Sequence, residues 1–220
     1  MKNTNTFWWS SGEGGVNPPV PPVDVVGQSL RFRGIRSQYM TRTFNTPDGY
    51  LPVWTVSCWI KWGDQVNHNI MFGGITTTDG SFPAGATGVS FSANSMLANT
   101  RQVSAIGDTF TGNPQYTDHS AWYHYVWSED GTTLRAYVNG VQMMESTTLS
   151  AAQLNWCNST WNQVGGAAIP ADLGPYLCLD GCLADFYNID GQVLEPTAFG
   201  RYNDNGVWVP REVDFTPAGM

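Results

Sequence analysis

The stretch at residues 121–140, AWYHYVWSEDGTTLRAYVNG, constrains the fold of this chain more than any other. Two runs rich in β-branched and aromatic residues flank Asp130-Gly131, a dipeptide that readily adopts the positive φ angles of a tight hairpin turn. A second turn dipeptide, Asn139-Gly140, leads into another short apolar run at residues 141–144. The pattern predicts a three-stranded antiparallel meander.

The length of the first turn decides which face of this meander is buried, because a shift of one residue exchanges the two faces. We expect a two-residue loop, which pairs Trp127 with Leu134. A three-residue loop would instead bury His124 and Val126. With the two-residue loop, the predicted core face carries Tyr123, Tyr125, Trp127, Leu134, Ala136 and Val138.

The rest of the chain alternates short strand signals with turns. It has 220 residues with 24 glycines and 13 prolines, and only 13% of the residues are charged. The longest predicted strand is Val53–Trp62, whose apolar and polar residues alternate and so predict one buried and one wetter face. Helical character is confined to residues 149–154 and 195–202. We therefore predict an all-β, two-sheet antiparallel jelly-roll sandwich with an extended N-terminal arm.

This prediction divides the chain into a Pro/Gly-rich arm at residues 1–28, a jelly-roll domain at 29–210 and a C-terminal tail at 211–220. In the arm, an aromatic cluster precedes a proline run that favours an extended spacer. We expect the arm to bind a partner; the alternative is a loose leader or a segment packed on its own domain. Its candidate partner-binding residues are Phe7, Trp8, Trp9, Pro18, Pro19, Pro21 and Pro22.

The charge balance argues against several classes of partner. The net charge is −8, so the chain lacks the phosphate attraction on which most nucleic-acid binding depends. It has no polybasic run for anionic lipid, and no apolar stretch approaches the ~20 residues that span a bilayer. The N-terminal residues lack the apolar core of a signal peptide. We expect neither a nucleic-acid nor a membrane partner, and no secretion by the usual route.

The cysteine spacing favours structural thiols over a metal or redox site. Two of the cysteines are four residues apart, about 13 Å along a straight strand. That separation is too long for a disulfide unless Asp180-Gly181 forms a turn. No second pair of Cys or His ligands lies at a spacing suited to zinc. We therefore predict reduced, buried thiols at Cys58, Cys157, Cys178 and Cys182.

Three stretches, taken together and in order, resemble the laminin-G-like, concanavalin-A-like jelly-roll superfamily. They are VSCWIKW at residues 56–62, the meander at 122–140, and DGCLADFYNIDGQVLEPTAFG at 180–200. The resemblance spans about residues 29–200. It implies the jelly-roll fold and says little about function, because one fold hosts many functions.

The last of these stretches has a narrower resemblance. The run ADFYNIDGQVLEPTAFGRYNDNGVWVP at residues 184–210 is similar to a segment common in virion proteins of tailed bacteriophages. The matching positions are Asp190, Gly191, Leu194, Pro196, Phe199, Gly200 and residues 206–210.

This resemblance implies a structural or receptor-facing protein of a phage particle, assembled in the host cytoplasm and located in the virion. Our leading expectation is a non-enzymatic capsid decoration protein on the head surface, anchored by its arm. Its expected partners are other virion proteins, first the major capsid protein, and further copies of itself.

An alternative function is a carbohydrate-binding adhesin module of a tail fibre or spike that recognises a host-surface glycan. Such sites combine aromatic platforms with amide and carboxylate hydrogen-bonding groups. The less apolar face of the meander offers both kinds of group. The interpretation that we favour for this face is a second packing face of the two-sheet sandwich. The candidate glycan-binding residues are Trp122, Arg135, Tyr137 and Asn139.

A third function, glycan hydrolysis or elimination, has weaker support. Glycoside hydrolysis needs two carboxylates roughly 5–9 Å apart across the scissile bond, and no such glutamate cluster occurs. Asp180 and Asp185 are five residues apart and would face opposite sides of a regular strand. The chain also lacks a G-x-S-x-G nucleophile motif, and His124 fits a packed strand histidine. We predict no catalytic residue and no enzyme.

Calcium is conceivable at loop carboxylates, since some members of the resembled superfamily bind it. No D-x-D-x-D ligand run is present, so the sequence assigns no metal site and no cofactor. The acids considered are Asp79, Asp108, Asp172 and Asp204.

Overall fold

A computed structural model describes part of the chain. The described residues are 26–33, 38–42, 53–63, 67–73, 87–92, 95–100, 108–109, 118–146, 162–165 and 179–213. The predictions for the arm up to residue 25, the helical stretch at 149–154, Cys157, Cys178, Asp79 and Asp172 lie outside these residues.

The described elements are strands and one 3₁₀ turn at Pro196–Ala198. The strands are β1 (Leu30–Phe32), β2 (Met40–Arg42), β3 (Val53–Trp62), β4 (Asn67–Gly73), β5 (Thr87–Ser92), β6 (Ser95–Thr100), β7 (Asp108–Thr109), β8 (Tyr123–Asp130), β9 (Leu134–Val138), β10 (Val141–Ser146), β11 (Asn162–Val164), β12 (Gly181–Asp190), β13 (Gly200–Tyr202) and β14 (Trp208–Pro210).

Two six-stranded antiparallel sheets contain most of these strands. The first sheet has the order β1-β12-β3-β8-β9-β10, and the second has the order β2-β11-β4-β5-β6-β7. The remaining strands, β13 and β14, pair only with each other; residues 200–210 are called the C-terminal hairpin below. The prediction of an all-β, two-sheet antiparallel sandwich is confirmed.

The main core lies between the two sheets. Val164 of the second sheet is buried there, and Met40 packs against the same cluster. The first sheet contributes its inner face, with Trp127, Tyr125 and Leu134 completely buried. The core cluster consists of Phe32, Trp54, Val56, Cys58, Ile60, Trp62, Tyr125, Trp127, Leu134, Ala136, Val138, Met144, Val164, Leu179 and Leu183.

The meander forms as predicted, but with a different register. Trp127 pairs with Ala136, two residues away from the predicted partner, because the turn is longer than two residues. The carboxylate of Asp130 accepts hydrogen bonds from the backbone N–H groups of Thr132 and Thr133 at 3.0 and 2.9 Å and so holds this longer turn. A shift of two residues leaves each side chain on its original face. The predicted core face is therefore confirmed although its pairing was wrong.

The predicted wetter face of β3 is buried, so that prediction was wrong. Thr55 and Ser57 point away from the main core and yet are inaccessible to solvent. The Thr55 hydroxyl donates to the carbonyl of Gln192 at 2.8 Å and accepts from the N–H of Leu194 at 2.9 Å. Residues 191–213, called the C-terminal segment below, thus cover the outer face of the first sheet.

A second apolar cluster fills the space between the outer face and the C-terminal segment. Phe199 is 1% exposed and stacks on Tyr187 with ring centroids 5.5 Å apart. The backbone N–H of Arg211 donates to the carbonyl of Phe199 at 3.0 Å, so the contact continues past β14. The outer cluster comprises Val126, Tyr137, Tyr187, Ile189, Leu194, Ala198, Phe199 and Val213.

Candidate functional site

His124 lies at the centre of the contact between the first sheet and the C-terminal hairpin. Its Nδ1 accepts the indole N–H of Trp208 at 3.0 Å, and its Nε2 is 2.8 Å from the Ser57 hydroxyl oxygen. Because Nδ1 accepts, the ring proton is on Nε2, which donates to Ser57. Trp59 stacks on the imidazole with ring centroids 4.8 Å apart. His124 is therefore a packed strand histidine, as its sequence position suggested.

Burial keeps this imidazole uncharged. It lowers the pKa of His124 from the ordinary 6.5 to about 3, since a charged ring would lose its hydration without gaining a countercharge. Both ring nitrogens are already engaged in hydrogen bonds within the protein. The arrangement suits a structural contact and leaves no nitrogen available as a catalytic base or a metal ligand.

Trp208 fits into this contact because two glycines make room for it. A Cβ atom at Gly140 would lie 2.5 Å from the Trp208 ring, and one at Gly200 would lie 2.6 Å from it. Gly140 also has a φ of +80°, which disfavours any side chain there. The sequence predicted that His124 is packed, but neither the packing of Trp208 nor its contact with His124 was predicted. The sequence feature that could have indicated the packing of Trp208 is the Gly-Val-Trp run at residues 206–208.

Tyr202 lies on the same hairpin as Trp208 but faces solvent. It pairs with Trp208 across β13 and β14, and the two rings meet edge to face with centroids 4.9 Å apart. Tyr202 is 55% exposed. The exposure of Tyr202 was not predicted, since no sequence pattern distinguishes a tyrosine in such a short strand from a packing residue.

The four predicted glycan-binding residues occupy different environments. Tyr137 is only 5% exposed and packs in the outer cluster. The side-chain oxygen of Asn139 accepts the backbone N–H of His124 at 2.8 Å. Trp122 is half-buried just before β8, and Arg135 is half-buried on β9. The structure thus places Tyr137 and Asn139 under or beside the C-terminal segment, and the role of the four in sugar binding stays a prediction.

Arg135 joins two acidic side chains at the end of the meander. Its guanidinium donates to the carboxylates of Asp130 at 2.8 Å and Glu145 at 3.2 Å. The hydrogen bond from Arg135, followed by those from Thr132, lowers the pKa of Asp130. These contacts fix the turn between β8 and β9.

Glu129 is a buried carboxylate at the same end of the first sheet. It is 2% exposed, and its Oε2 accepts the indole N–H of Trp54 at 2.7 Å. Burial raises its pKa from 4.5 to about 7, with the Trp54 hydrogen bond acting in the opposite direction. A carboxyl group near neutrality is a candidate proton donor, although Glu129 faces the packed interior rather than a cleft.

The other acids considered for catalysis are held in different ways. Asp180 forms an ion pair with Arg31 at 3.3 Å. Asp185 adopts a left-handed φ of 44° where β12 changes register, so the expectation of opposite faces on a regular strand does not apply. Within the ranges the structure describes, no group of three or more His, Cys, Asp or Glu side chains could hold a metal ion.

Two cysteines are described, and both are free thiols. Cys58 is completely buried in the main core, and this burial raises the pKa of its thiol. Cys182 is half-buried in β12. For Cys58 the prediction of a reduced, buried thiol is confirmed, whereas Cys182 is reduced but only partly covered. Among the described elements, no helix is long and apolar enough to cross a membrane.

A model of the concanavalin A-like lectin/glucanases superfamily matches residues 40–187. This match covers more than half of the chain and takes in the core strands of both sheets. The chain therefore belongs to this family, a class of lectin-like and glucanase-like jelly-roll domains. A search of curated proteins found no match.

Solved structures share the fold at low sequence identity. Domain 4 of the Geobacillus stearothermophilus arabinanase AbnA, in complex with arabinotriose, is 15% identical with a TM-score of 0.54, covering 84% of this chain and 80% of that one. The CBM40 of a Ruminococcus gnavus sialidase, bound to α2,3-sialyllactose, is 10% identical with a TM-score of 0.55, covering 79% and 95%.

A third similar structure contains domains LG4-5 of the mouse laminin alpha1 chain. It is 10% identical with a TM-score of 0.53, and the match covers 81% of this chain but only 47% of that one. At these identities, the similarity establishes the shared fold alone.

Replacing Glu129 with glutamine should make stability less dependent on pH. The raised pKa means that the folded protein holds a proton which the unfolded chain releases between pH 4.5 and 7. The contribution of Glu129 to the free energy of unfolding is therefore fully present below pH 4.5 and is lost as the pH rises towards 7. Glu129→Gln keeps a side-chain oxygen that accepts the hydrogen bond from Trp54. At pH 8 its free energy of unfolding should exceed that of the wild type by about 2 kcal/mol.

Urea unfolding of both proteins at pH 4, 6 and 8 measures this difference. The advantage of Glu129→Gln should shrink towards zero at pH 4. Glu212→Gln, at an exposed position, controls for the removal of one negative charge. An equal advantage at all three pH values would contradict the assignment of a buried, protonated carboxyl group.

Proposed function

We propose that this chain is a non-catalytic carbohydrate-binding module. The observation that carries the proposal is the family match over residues 40–187. Two proteins with the same fold, the arabinanase domain and the sialidase CBM40, were solved with an oligosaccharide bound. Sugar binding needs a surface that complements the ring faces and hydroxyl groups of the ligand, and it does not need a reactive side chain.

The placement of four of the described acidic side chains supports a binding role over a catalytic one. Glu129 faces the core and is bonded to Trp54. Asp130, Glu145 and Asp180 are each bonded to an arginine. Carboxylates committed to such contacts are poorly suited to flank a glycosidic bond, where one must donate a proton and the other must attack or activate water.

A glycan array probed with the labelled full-length protein tests the proposed function. We expect saturable binding to a subset of the printed oligosaccharides, with dissociation constants in the micromolar to millimolar range that suit a single shallow site. The same protein unfolded by heat is the control for non-specific adhesion. Absence of any saturable signal, on an array that includes arabinotriose and α2,3-sialyllactose, would contradict carbohydrate binding.

We further propose that the module is displayed on the virion of a tailed bacteriophage. The location that we favour is the capsid surface, where it would be a decoration protein in contact with the major capsid protein and with copies of itself. The support is the resemblance of residues 184–210 to virion proteins. In this chain that run supplies β12 from residue 184 onwards, the 3₁₀ turn and the C-terminal hairpin. A glycan-binding module on a particle surface would let the particle adhere to a host.

The arm is the proposed attachment point, since three large aromatic side chains could serve as interface anchors. A deletion of residues 1–15 should leave a folded, soluble domain that no longer joins the particle. A second variant keeps the length of the arm but changes Phe7, Trp8 and Trp9 to serine. It should lose attachment to a similar extent, because the aromatic side chains are the proposed anchors. Sedimentation of particles assembled with each protein measures incorporation. Normal incorporation of both variants would place the attachment on the sandwich itself.

A further inference from the structure

The C-terminal hairpin presents an aromatic side chain to solvent although most aromatic side chains of the described residues are covered. Tyr202 is 55% exposed, whereas its strand partner Trp208 is half-buried. An exposed tyrosine offers an apolar ring face together with a polar tip, the combination that sugar rings and hydroxyl groups require.

The Tyr202 ring is held in place by contacts with Trp208 and Asn139. It meets Trp208 edge to face at 4.9 Å, and its hydroxyl oxygen lies 3.4 Å from the backbone carbonyl of Asn139. Trp208 is in turn fixed by its hydrogen bond to His124 at 3.0 Å. A ring supported in this way loses little conformational freedom when a ligand binds, which lowers the entropic cost of association.

Polar residues follow Tyr202 directly, on the turn of the same hairpin. The side-chain oxygen of Asn203 accepts the backbone N–H groups of Asn205 at 3.0 Å and Val207 at 2.9 Å, so Asn203 orders this turn. Asp204 and Asn205 are exposed. Their carboxylate and amide groups supply the acceptors and donors that hydroxyl recognition needs.

We propose that the C-terminal hairpin is a sugar-binding site in which Tyr202 stacks on the apolar face of a pyranose or furanose ring. Asp204 accepts hydrogen bonds from ring hydroxyls, and Asn205 both accepts and donates them. The ligand class is a neutral or weakly charged oligosaccharide, which the acidic chain, with a net charge of −8, would not repel strongly. This inference rests on the proposed function and locates its site.

The test compares four full-length proteins on one glycan array: the wild type, Tyr202→Ala, Tyr202→Phe and Tyr39→Ala. Tyr202→Ala should weaken binding by at least about tenfold, because it removes the stacking surface. Tyr202→Phe keeps the ring and should retain most of the affinity. Tyr39 is 40% exposed on a different part of the fold, so Tyr39→Ala should bind as the wild type does.

A second variant tests the same site without removing the Tyr202 ring, whose loss could unfold the hairpin. The double change Asp204→Ala with Asn205→Ala leaves the ring and the Asn203 side chain in place, and it should weaken binding by about fivefold or more. Unchanged binding by both Tyr202→Ala and the double variant, alongside clear wild-type binding, would overturn this site while leaving carbohydrate binding intact. Absence of wild-type binding to every glycan would overturn the proposed function and this inference with it.

Discussion

The hydrogen bond between the Trp208 indole and the His124 imidazole is the contact that fixes the C-terminal hairpin on the outer face of the first sheet. It joins the C-terminal hairpin to the middle of the first sheet, 84 residues away in sequence. The bond requires His124 to stay neutral, and burial ensures this by lowering the pKa of the imidazole to about 3. It also requires Gly140 and Gly200, since a side chain at either position would collide with the Trp208 ring.

This contact explains why a sheet with polar outward-facing residues is buried on both sides. Antiparallel sheets commonly leave one face to water, and Thr55 and Ser57 would suit such a face. Here their hydroxyl groups satisfy the backbone of the C-terminal segment and the ring of His124. Buried polar groups cost free energy unless they are paired, so the segment and the sheet residues depend on each other.

Much of the fold could be predicted from local patterns. The Asp130-Gly131 turn and the β-branched runs gave the correct strands and the correct core face, because alternation has a period of two. The register was wrong, since the Asp130 carboxylate stabilises a longer turn through bonds that no dipeptide rule contains. The burial of the outer face could not be predicted either, because the covering residues lie far away in sequence.

The candidate site was harder to predict than the fold. The sequence predicted a sugar platform on the meander, where aromatic residues are dense, but Tyr137 is buried in the outer cluster together with Phe199. Tyr202 is 55% exposed, more than Tyr39 at 40%. The exposure of Tyr202 follows from the placement of Trp208 rather than from its own neighbours in sequence. Exposure is a property of tertiary structure, so the density of aromatic residues in a sequence does not by itself show which rings can reach a ligand. Sugar binding by the four meander residues stays a prediction.

A double-mutant cycle on His124 and Trp208 tests the central contact most directly. His124→Phe and Trp208→Phe each keep an aromatic ring, so the cycle isolates the hydrogen bond from most of the stacking. The free energy of unfolding of the wild type, both single variants and the double variant would be measured in urea at pH 7. We predict a coupling energy of about 1–2 kcal/mol for this hydrogen bond. Additive effects, with a coupling energy within about 0.3 kcal/mol of zero, would contradict it.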